Sequence, residues 1–133
     1  LHLSTMFYEY LDPTELSEKL SNDDIAIVDV RDEDFNSDGH IPHAVNAPSE
    51  KWDDDEMVDN LIKSHEQKSM VVFHCRMSQV RGPSCATRYI ERRAELLGGD
   101  VNDPQSLPKV TVLAGGFKRW KQLYGETEGK IEN

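Results

Sequence analysis

Three short apolar runs constrain the fold of this chain more than any other feature. They occupy residues 25–30, 70–73 and 110–113, and each is rich in β-branched side chains. A strand that is apolar at nearly every position must be covered on both faces, as in the middle of a parallel sheet. Segments with helical patterns lie between the runs. The sequence therefore predicts an α/β domain whose mainly parallel central sheet has helices on both faces.

Helix signals fill the segments between these runs. Asp12 and Pro13 are typical of a helix start. Residues 53–64 repeat apolar side chains at four-residue spacing, and Gly115-Gly116 precede an amphipathic segment carrying Phe117, Trp120 and Leu123. Residues 45–47 are a weaker strand candidate. The longest predicted helix covers 81–97, with an apolar face made of Cys85, Ala86, Tyr89, Ile90, Ala94 and Leu97.

Length and composition predict one soluble domain. The chain has 133 residues, 37% apolar and 30% charged, and we assign the domain to residues 6–126, with tails at 1–5 and 127–133. A net charge of −10 argues against nucleic acid as a partner. Every apolar run is far shorter than the ~20 residues of a membrane span. Two cysteines without zinc-site spacing predict no metal and a reducing compartment, the cytoplasm and also the nucleus.

The clearest chemical signal is the loop of residues 75–81, between a predicted strand and a helix opened by Gly82-Pro83. A loop at a helix N-terminus can direct N–H groups and the helix dipole at an oxyanion. Arg81 could clamp two oxygens of that anion, and the same field favours the thiolate of Cys75 as a nucleophile. We predict Cys75 and Arg81 as catalytic. The predicted substrate-binding residues are Arg76, Met77, Ser78, Gln79, Val80 and Gly82.

The order of several motifs resembles the rhodanese superfamily. The early part of its pattern is matched by Asp29-Val30-Arg31 and by residues 39–46, and the late part by residues 113–117 with Trp120. Within the superfamily, the loop of Cys, five residues and Arg resembles that of the cell-division-cycle dual-specificity phosphatases and the eukaryotic arsenate reductases. Rhodanese sulfurtransferases have a loop one residue shorter. The resemblance implies a rhodanese-like fold of the phosphatase branch.

The resemblance also implies an activity on tetrahedral oxyanions. One form is a protein-tyrosine or aryl-phosphate phosphatase with a phosphocysteine intermediate. The other is an arsenate reductase that uses an external thiol such as glutathione, with glutaredoxin as a partner; one protein could have both activities. No bound cofactor is implied. A thiosulfate-type sulfurtransferase and a non-catalytic binding module are the alternatives.

The loop departs from the cell-cycle phosphatases at two positions. Those enzymes carry glutamates after the cysteine and before the arginine, where this chain has Arg76 and Val80. A carboxyl group that could protonate a leaving group is therefore missing from the loop. The carboxylates that could replace it are Asp32, Glu33, Asp34 and those of residues 53–56.

Several further side chains have structural roles as their first interpretation. Arg31 is expected to pair with Asp34 or Glu33 and, with Asp29, to brace the loops. His74 is expected to orient the loop. Cys85 is expected in the core, the alternative being a disulfide with oxidised Cys75. The arginines of the predicted helix 81–97 could extend anion recognition or be solvated: Arg88 and Arg92.

Overall fold

The computed structural model describes residues 7–97 and 107–133. Its five strands form one sheet in the order β1-β5-β4-β2-β3, and every neighbouring pair is parallel. The three apolar runs are the three central strands, which confirms the predicted sheet. The strands are β1 (Glu9–Leu11), β2 (Ile25–Asp29), β3 (Val45–Asn46), β4 (Met70–His74) and β5 (Lys109–Leu113).

Helices cover both faces of the sheet, as the sequence predicts. The helices are α1 (Pro13–Glu18), α2 (Asp34–Ser37), α3 (Asp55–Ser64), α4 (Arg81–Leu97) and α5 (Gly116–Tyr124), and a 3₁₀ turn covers Ser49–Lys51. Asp12 caps α1 by accepting a hydrogen bond from the Thr14 N–H at 2.8 Å. The sequence analysis missed β1 and α2, which have three and four residues. Elements this short do not show a repeating pattern of apolar and polar side chains.

The core has two halves, one on each face of the sheet. On one face, strand residues such as Val28 and Phe73 pack with Tyr89 of α4 and Val58 of α3. On the other face, Val72 and its neighbours pack with α1 and α5. Alternate strand residues point to opposite faces, so the central strands need apolar side chains at almost every position.

The apolar face of α4 differs from the prediction at one turn. Ala94 is exposed, and Arg93 is buried in its place. The Nη1 atom of Arg93 donates a hydrogen bond to the Pro108 carbonyl oxygen at 2.9 Å, and its guanidinium lies 5.8 Å from the ring centroid of Tyr89. A long cationic side chain can lay its stem along apolar surface while its head finds polar partners. On α5, Phe117 and Trp120 are buried as predicted, whereas Leu123 is 38% exposed.

The C-terminal residues assigned to a tail make contacts with the domain. The Nε1 atom of Trp120 donates to the Lys130 carbonyl oxygen at 2.8 Å, and the Glu132 N–H donates to the His40 carbonyl oxygen at 2.8 Å. The predicted N-terminal tail, residues 1–5, lies outside the described residues. Within the described ranges, no helix is long and apolar enough to cross a membrane.

Candidate active site

The loop of residues 75–81 lies at the carboxyl edge of the sheet, directly after β4, where parallel α/β sheets bind their ligands. The N-terminus of α5 packs against this loop and donates hydrogen bonds to it. The Phe117 N–H donates to the Cys75 carbonyl oxygen at 3.0 Å, and the Lys118 N–H donates to the Arg76 carbonyl oxygen at 2.8 Å. The close contact between α5 and the loop requires glycine at position 116, because a Cβ there would lie 2.5 Å from the Arg76 carbonyl oxygen. The position of the nucleophile therefore depends on α5.

Two backbone N–H groups point at the sulfur of Cys75. The Ser78 N–H lies 3.2 Å and the Gly82 N–H 3.3 Å from Sγ, and the cysteine is only 3% exposed. Ser78 reaches this geometry with a φ of 56°, a left-handed conformation that is uncommon for a residue with a Cβ. Donors aimed at sulfur at the start of a helix stabilise a thiolate over a thiol. The loop therefore gives the Cys75 sulfur two main-chain hydrogen-bond donors.

The remainder of the loop has unused hydrogen-bond donors. In the part of the chain that the structure describes, the N–H groups of Met77, Gln79 and Val80 donate to no protein acceptor. The Ser78 hydroxyl is buried and has no partner there either. The Met77 and Val80 side chains are 43% and 71% exposed, so they can contact a bound substrate. The predicted cradle thus has free donors beside the nucleophile.

Arg81 is held by two carboxylates from the segment that follows β2. Its Nη1 and Nη2 atoms donate to the two Asp34 carboxylate oxygens at 3.2 and 3.0 Å, and Nη1 also donates to Asp32 Oδ2 at 3.2 Å. A guanidinium has five N–H donors, so these three bonds leave two: Nε–H and the second hydrogen of Nη2. Those two lie side by side and match two oxygens of a tetrahedral anion. Asp32 is itself fixed by the Ser49 hydroxyl at 2.7 Å and the Glu50 N–H at 3.1 Å.

This network keeps all three groups charged. The hydrogen bond from Arg81 holds the pKa of the Asp34 carboxyl below its usual range and outweighs the opposing effect of partial burial. Burial raises the pKa of Asp32, but the bonds from Ser49, Glu50 and Arg81 together lower it further than burial raises it. The pKa of Arg81 is raised, chiefly by Asp34. Neither aspartate can therefore donate a proton at neutral pH while it is bound to Arg81.

Sequence reasoning named both aspartates but did not find their role. A signal was present, because Asp32 and Asp34 come just after β2, which neighbours β4 in the sheet. Residues that follow adjacent parallel strands meet at the same edge. The expected carboxylate partner of Arg31 was wrong: the guanidinium bonds the Asp29 carboxylate through Nε at 3.0 Å and Nη2 at 2.8 Å, and Asp34 contributes its carbonyl oxygen, 3.5 Å from Nη1.

A buried network lies behind the nucleophile. Arg31, Asp29 and His74 are all fully buried, and the Arg31 guanidinium stacks 4.1 Å from the ring centroid of Phe117. The His74 Nδ1 atom lies 3.1 Å from the Cys75 carbonyl oxygen and must donate to it, since a carbonyl can only accept. Burial lowers the pKa of His74 and favours the neutral ring. His74 thus holds the main chain of the nucleophile, in agreement with its expected orienting role.

The remaining candidate residues are Cys85, which packs in the same core cluster as Cys75, and two arginines of α4. Cys85 is buried, and burial above all raises its pKa to about 12, so it remains a protonated thiol. Arg88 pairs with Asp55, and Arg92 bonds the Asp59 carboxylate from Nε at 2.6 Å and from Nη2 at 2.9 Å. These two arginines join α4 to α3 and do not extend the anion cradle.

The Arg76 side chain turns away from the loop. Its Nη1 atom donates to Asp38 Oδ2 at 3.0 Å, and half of the side chain is exposed. Arg76 therefore lies on the flank of the predicted site and not over the sulfur.

Comparisons with known proteins agree with this geometry. The model of the rhodanese-like domain family matches residues 12–123. The dual specificity phosphatase ibp1 of Schizosaccharomyces pombe is 38% identical over 92% of this chain and 95% of its own length. Arsenate reductase 2.2 of rice (Oryza sativa subsp. japonica) is 33% identical over 84% of this chain and 81% of its own. Ygr203w, a yeast protein tyrosine phosphatase of the rhodanese family, superposes with a TM-score of 0.76 at 29% identity, covering 93% of this chain and 91% of its own. This chain belongs to the rhodanese-like domain family, and its relatives include Cdc25-like dual-specificity phosphatases and arsenate reductases.

Proposed function

We propose that this protein is a thiolate-dependent enzyme that acts on tetrahedral oxyanions, and first of all a phosphatase for protein-tyrosine and aryl phosphates. The observation that supports this most directly is the pair of N–H groups, from Ser78 and Gly82, aimed at the Cys75 sulfur. A loop that stabilises a thiolate and has free N–H donors beside it suits attack on a bound oxyanion.

The phosphatase reaction has two steps. The Cys75 thiolate attacks phosphorus, the ester P–O bond breaks, and the phenolate leaves with the electron pair of that bond and takes up a proton from water. Water then hydrolyses the phosphocysteine intermediate, which releases phosphate and regenerates the thiolate. The free Nε–H and Nη2–H edge of Arg81 binds two phosphoryl oxygens, whose charge grows towards the transition state.

Arsenate reduction is the second candidate. The observation that favours it is the state of the nearest carboxylates: Asp32 and Asp34 are held ionised by Arg81 and are poor acids for a phenolate leaving group. Arsenate has no phenol to expel. Cys75 would form an S–As bond with loss of water. An external thiol such as glutathione would then attack the Cys75 sulfur, so that a disulfide forms, the S–As bond breaks, and its electron pair stays on arsenic, which leaves as As(III). Glutaredoxin and further glutathione would reduce the disulfide and restore Cys75. The reducing cytoplasm, and the nucleus with it, suits both activities.

Parallel assays test the proposal. The wild-type protein is given para-nitrophenyl phosphate, arsenate with glutathione and glutaredoxin, and thiosulfate with cyanide. We expect turnover in one or both of the first two assays, loss of turnover in Cys75→Ser, and competitive inhibition by vanadate. Cys85→Ser is the matched control, since its thiol is buried and protonated. Turnover of thiosulfate alone, or equal losses in both variants, would overturn the proposal.

A further inference from the structure

A small basic pocket adjoins the loop at Arg76. It has a volume of about 300 Å³. Three cations line it, Arg76, Lys118 and Lys121, with a single carboxylate, Asp38. This local excess of positive charge stands out in a chain with a net charge of −10. The protein as a whole repels anions, so a cationic pocket marks where an anionic group is tolerated.

The construction of the pocket ties it to the nucleophile. Arg76 is the residue after Cys75, and its carbonyl oxygen accepts the Lys118 N–H at 2.8 Å. Lys118 and Lys121 are one turn apart on α5, the helix whose N-terminus supports the loop. An anion in this pocket would therefore lie beside a phosphoryl group bound in the loop, so both could belong to one substrate.

The charges in the pocket are only partly compensated. Asp38 is shared between Arg76 Nη1 at 3.0 Å and Lys121 Nζ at 3.5 Å. Within residues 7–97 and 107–133, Lys118 has no carboxylate at ion-pair distance. The arginines of α4 differ, because Arg88 and Arg92 are matched by carboxylates of α3.

We propose that this pocket binds an acidic side chain of the phosphoprotein substrate, close in sequence to the phosphotyrosine. The proposal rests on the proposed phosphatase function and deepens it. The volume lies at the lower limit for small-molecule sites and suits one carboxylate side chain better than a cofactor. Arg76 and Lys121 are half exposed, and Lys118 is exposed. We therefore expect these cations to contribute to specificity and association rate, and we expect salt to weaken their attraction for the substrate.

The test compares two phosphotyrosine peptides that differ only in charge, one with glutamates beside the phosphotyrosine and one with glutamines. We expect the wild-type protein to prefer the acidic peptide by about tenfold in kcat/KM, mostly through KM, as for two partly exposed charge pairs. The preference should shrink in 0.5 M salt. In Lys118→Ala/Lys121→Ala, which keeps the Lys118 main-chain N–H that supports the loop, the ratio of kcat/KM between the two peptides should fall to about twofold.

A matched double variant controls for net charge. Lys19→Ala/Lys63→Ala also removes two positive charges, from the end of α1 and from α3, and should keep the preference. Equal kcat/KM for the two peptides in the wild type, or an equal loss in both double variants, would overturn the proposal.

Binding of the same two peptides to Cys75→Ser is measured by fluorescence anisotropy. This measurement compares the affinities for the acidic and the neutral peptide in the absence of turnover. If Cys75→Ser binds the acidic peptide more tightly but the wild-type protein hydrolyses neither peptide, the proposed phosphatase function is refuted and the pocket is retained. Equal affinities would refute the pocket alone.

Discussion

Asp34→Asn tests whether the aspartate pair orients Arg81 for catalysis. The carboxylate accepts from Nη1 at 3.2 Å and from Nη2 at 3.0 Å, and an amide has one acceptor oxygen in place of two. The variant therefore loses the two-bond contact that fixes the guanidinium plane. The side-chain volume is unchanged, so the fold should be retained.

Two effects of opposite sign decide the result. If the Arg81 side chain becomes free to rotate about one torsion, the guanidinium occupies the productive orientation in about one of three staggered wells. If two torsions become free, it does so in about one of nine. The loss of productive orientation costs about 0.7–1.3 kcal/mol. Removing a negative charge also reduces repulsion of the substrate. Two unit charges ~7 Å apart in water repel by about 0.6 kcal/mol, and physiological salt reduces this to less than half. Misorientation is the larger effect, so kcat/KM for para-nitrophenyl phosphate should fall by about 2- to 6-fold.

The pH dependence separates positioning from proton donation. Arg81 keeps the pKa of Asp34 below its ordinary value of about 3.9, so the ion pair is intact above about pH 4 and is lost only as the pH falls through the lowered value. The deficit of Asp34→Asn should therefore be constant from pH 5.5 to 8. Asp59→Asn is the control, because Asp59 makes a similar two-bond contact to Arg92 away from the loop. An unchanged kcat/KM, or a deficit that removes only the alkaline limb of the pH profile, would refute the positioning role.

Three further predictions follow from the same contacts. Arg81→Lys keeps the charge but loses the planar pair of donors, so kcat/KM should fall by roughly 10- to 1,000-fold. Near-normal kinetics would mean that another cationic residue binds the substrate oxyanion. Gly116→Ala places a Cβ 2.5 Å from a loop oxygen, and urea unfolding should show a loss of about 1–3 kcal/mol with reduced turnover. Gly129→Ala, which also has a positive φ but no atom within 4 Å, controls for backbone strain, and an equal loss there would dismiss the loop contact. In a series of aryl phosphates with phenol pKa from about 5 to 10, rates should fall steeply as the phenol becomes more basic, because Asp32 and Asp34 are ionised; a flat series would reveal another acid.

The sequence alone determined the order of the longer elements and the position of the loop. Both are local properties. A strand covered on both faces is apolar at successive positions, and a helix start needs a cap or a glycine, so each leaves its mark within a few residues. The loop could be located because it follows β4 and precedes α4.

Only the tertiary structure decided which charged groups meet. Asp34 and Arg81 are 47 residues apart, and Asp32 and Arg81 are 49 apart, so no local pattern links them. The expectation for Arg31 named Asp34 or Glu33, whereas the carboxylate that its guanidinium bonds is that of Asp29, on the other side of it in the sequence. On α4, periodicity placed Ala94 inside, but Arg93 is buried because the Pro108 carbonyl oxygen lies where its guanidinium can reach it. Side-chain pairing depends on how the sheet brings distant segments to one edge, and that arrangement is a property of the whole fold.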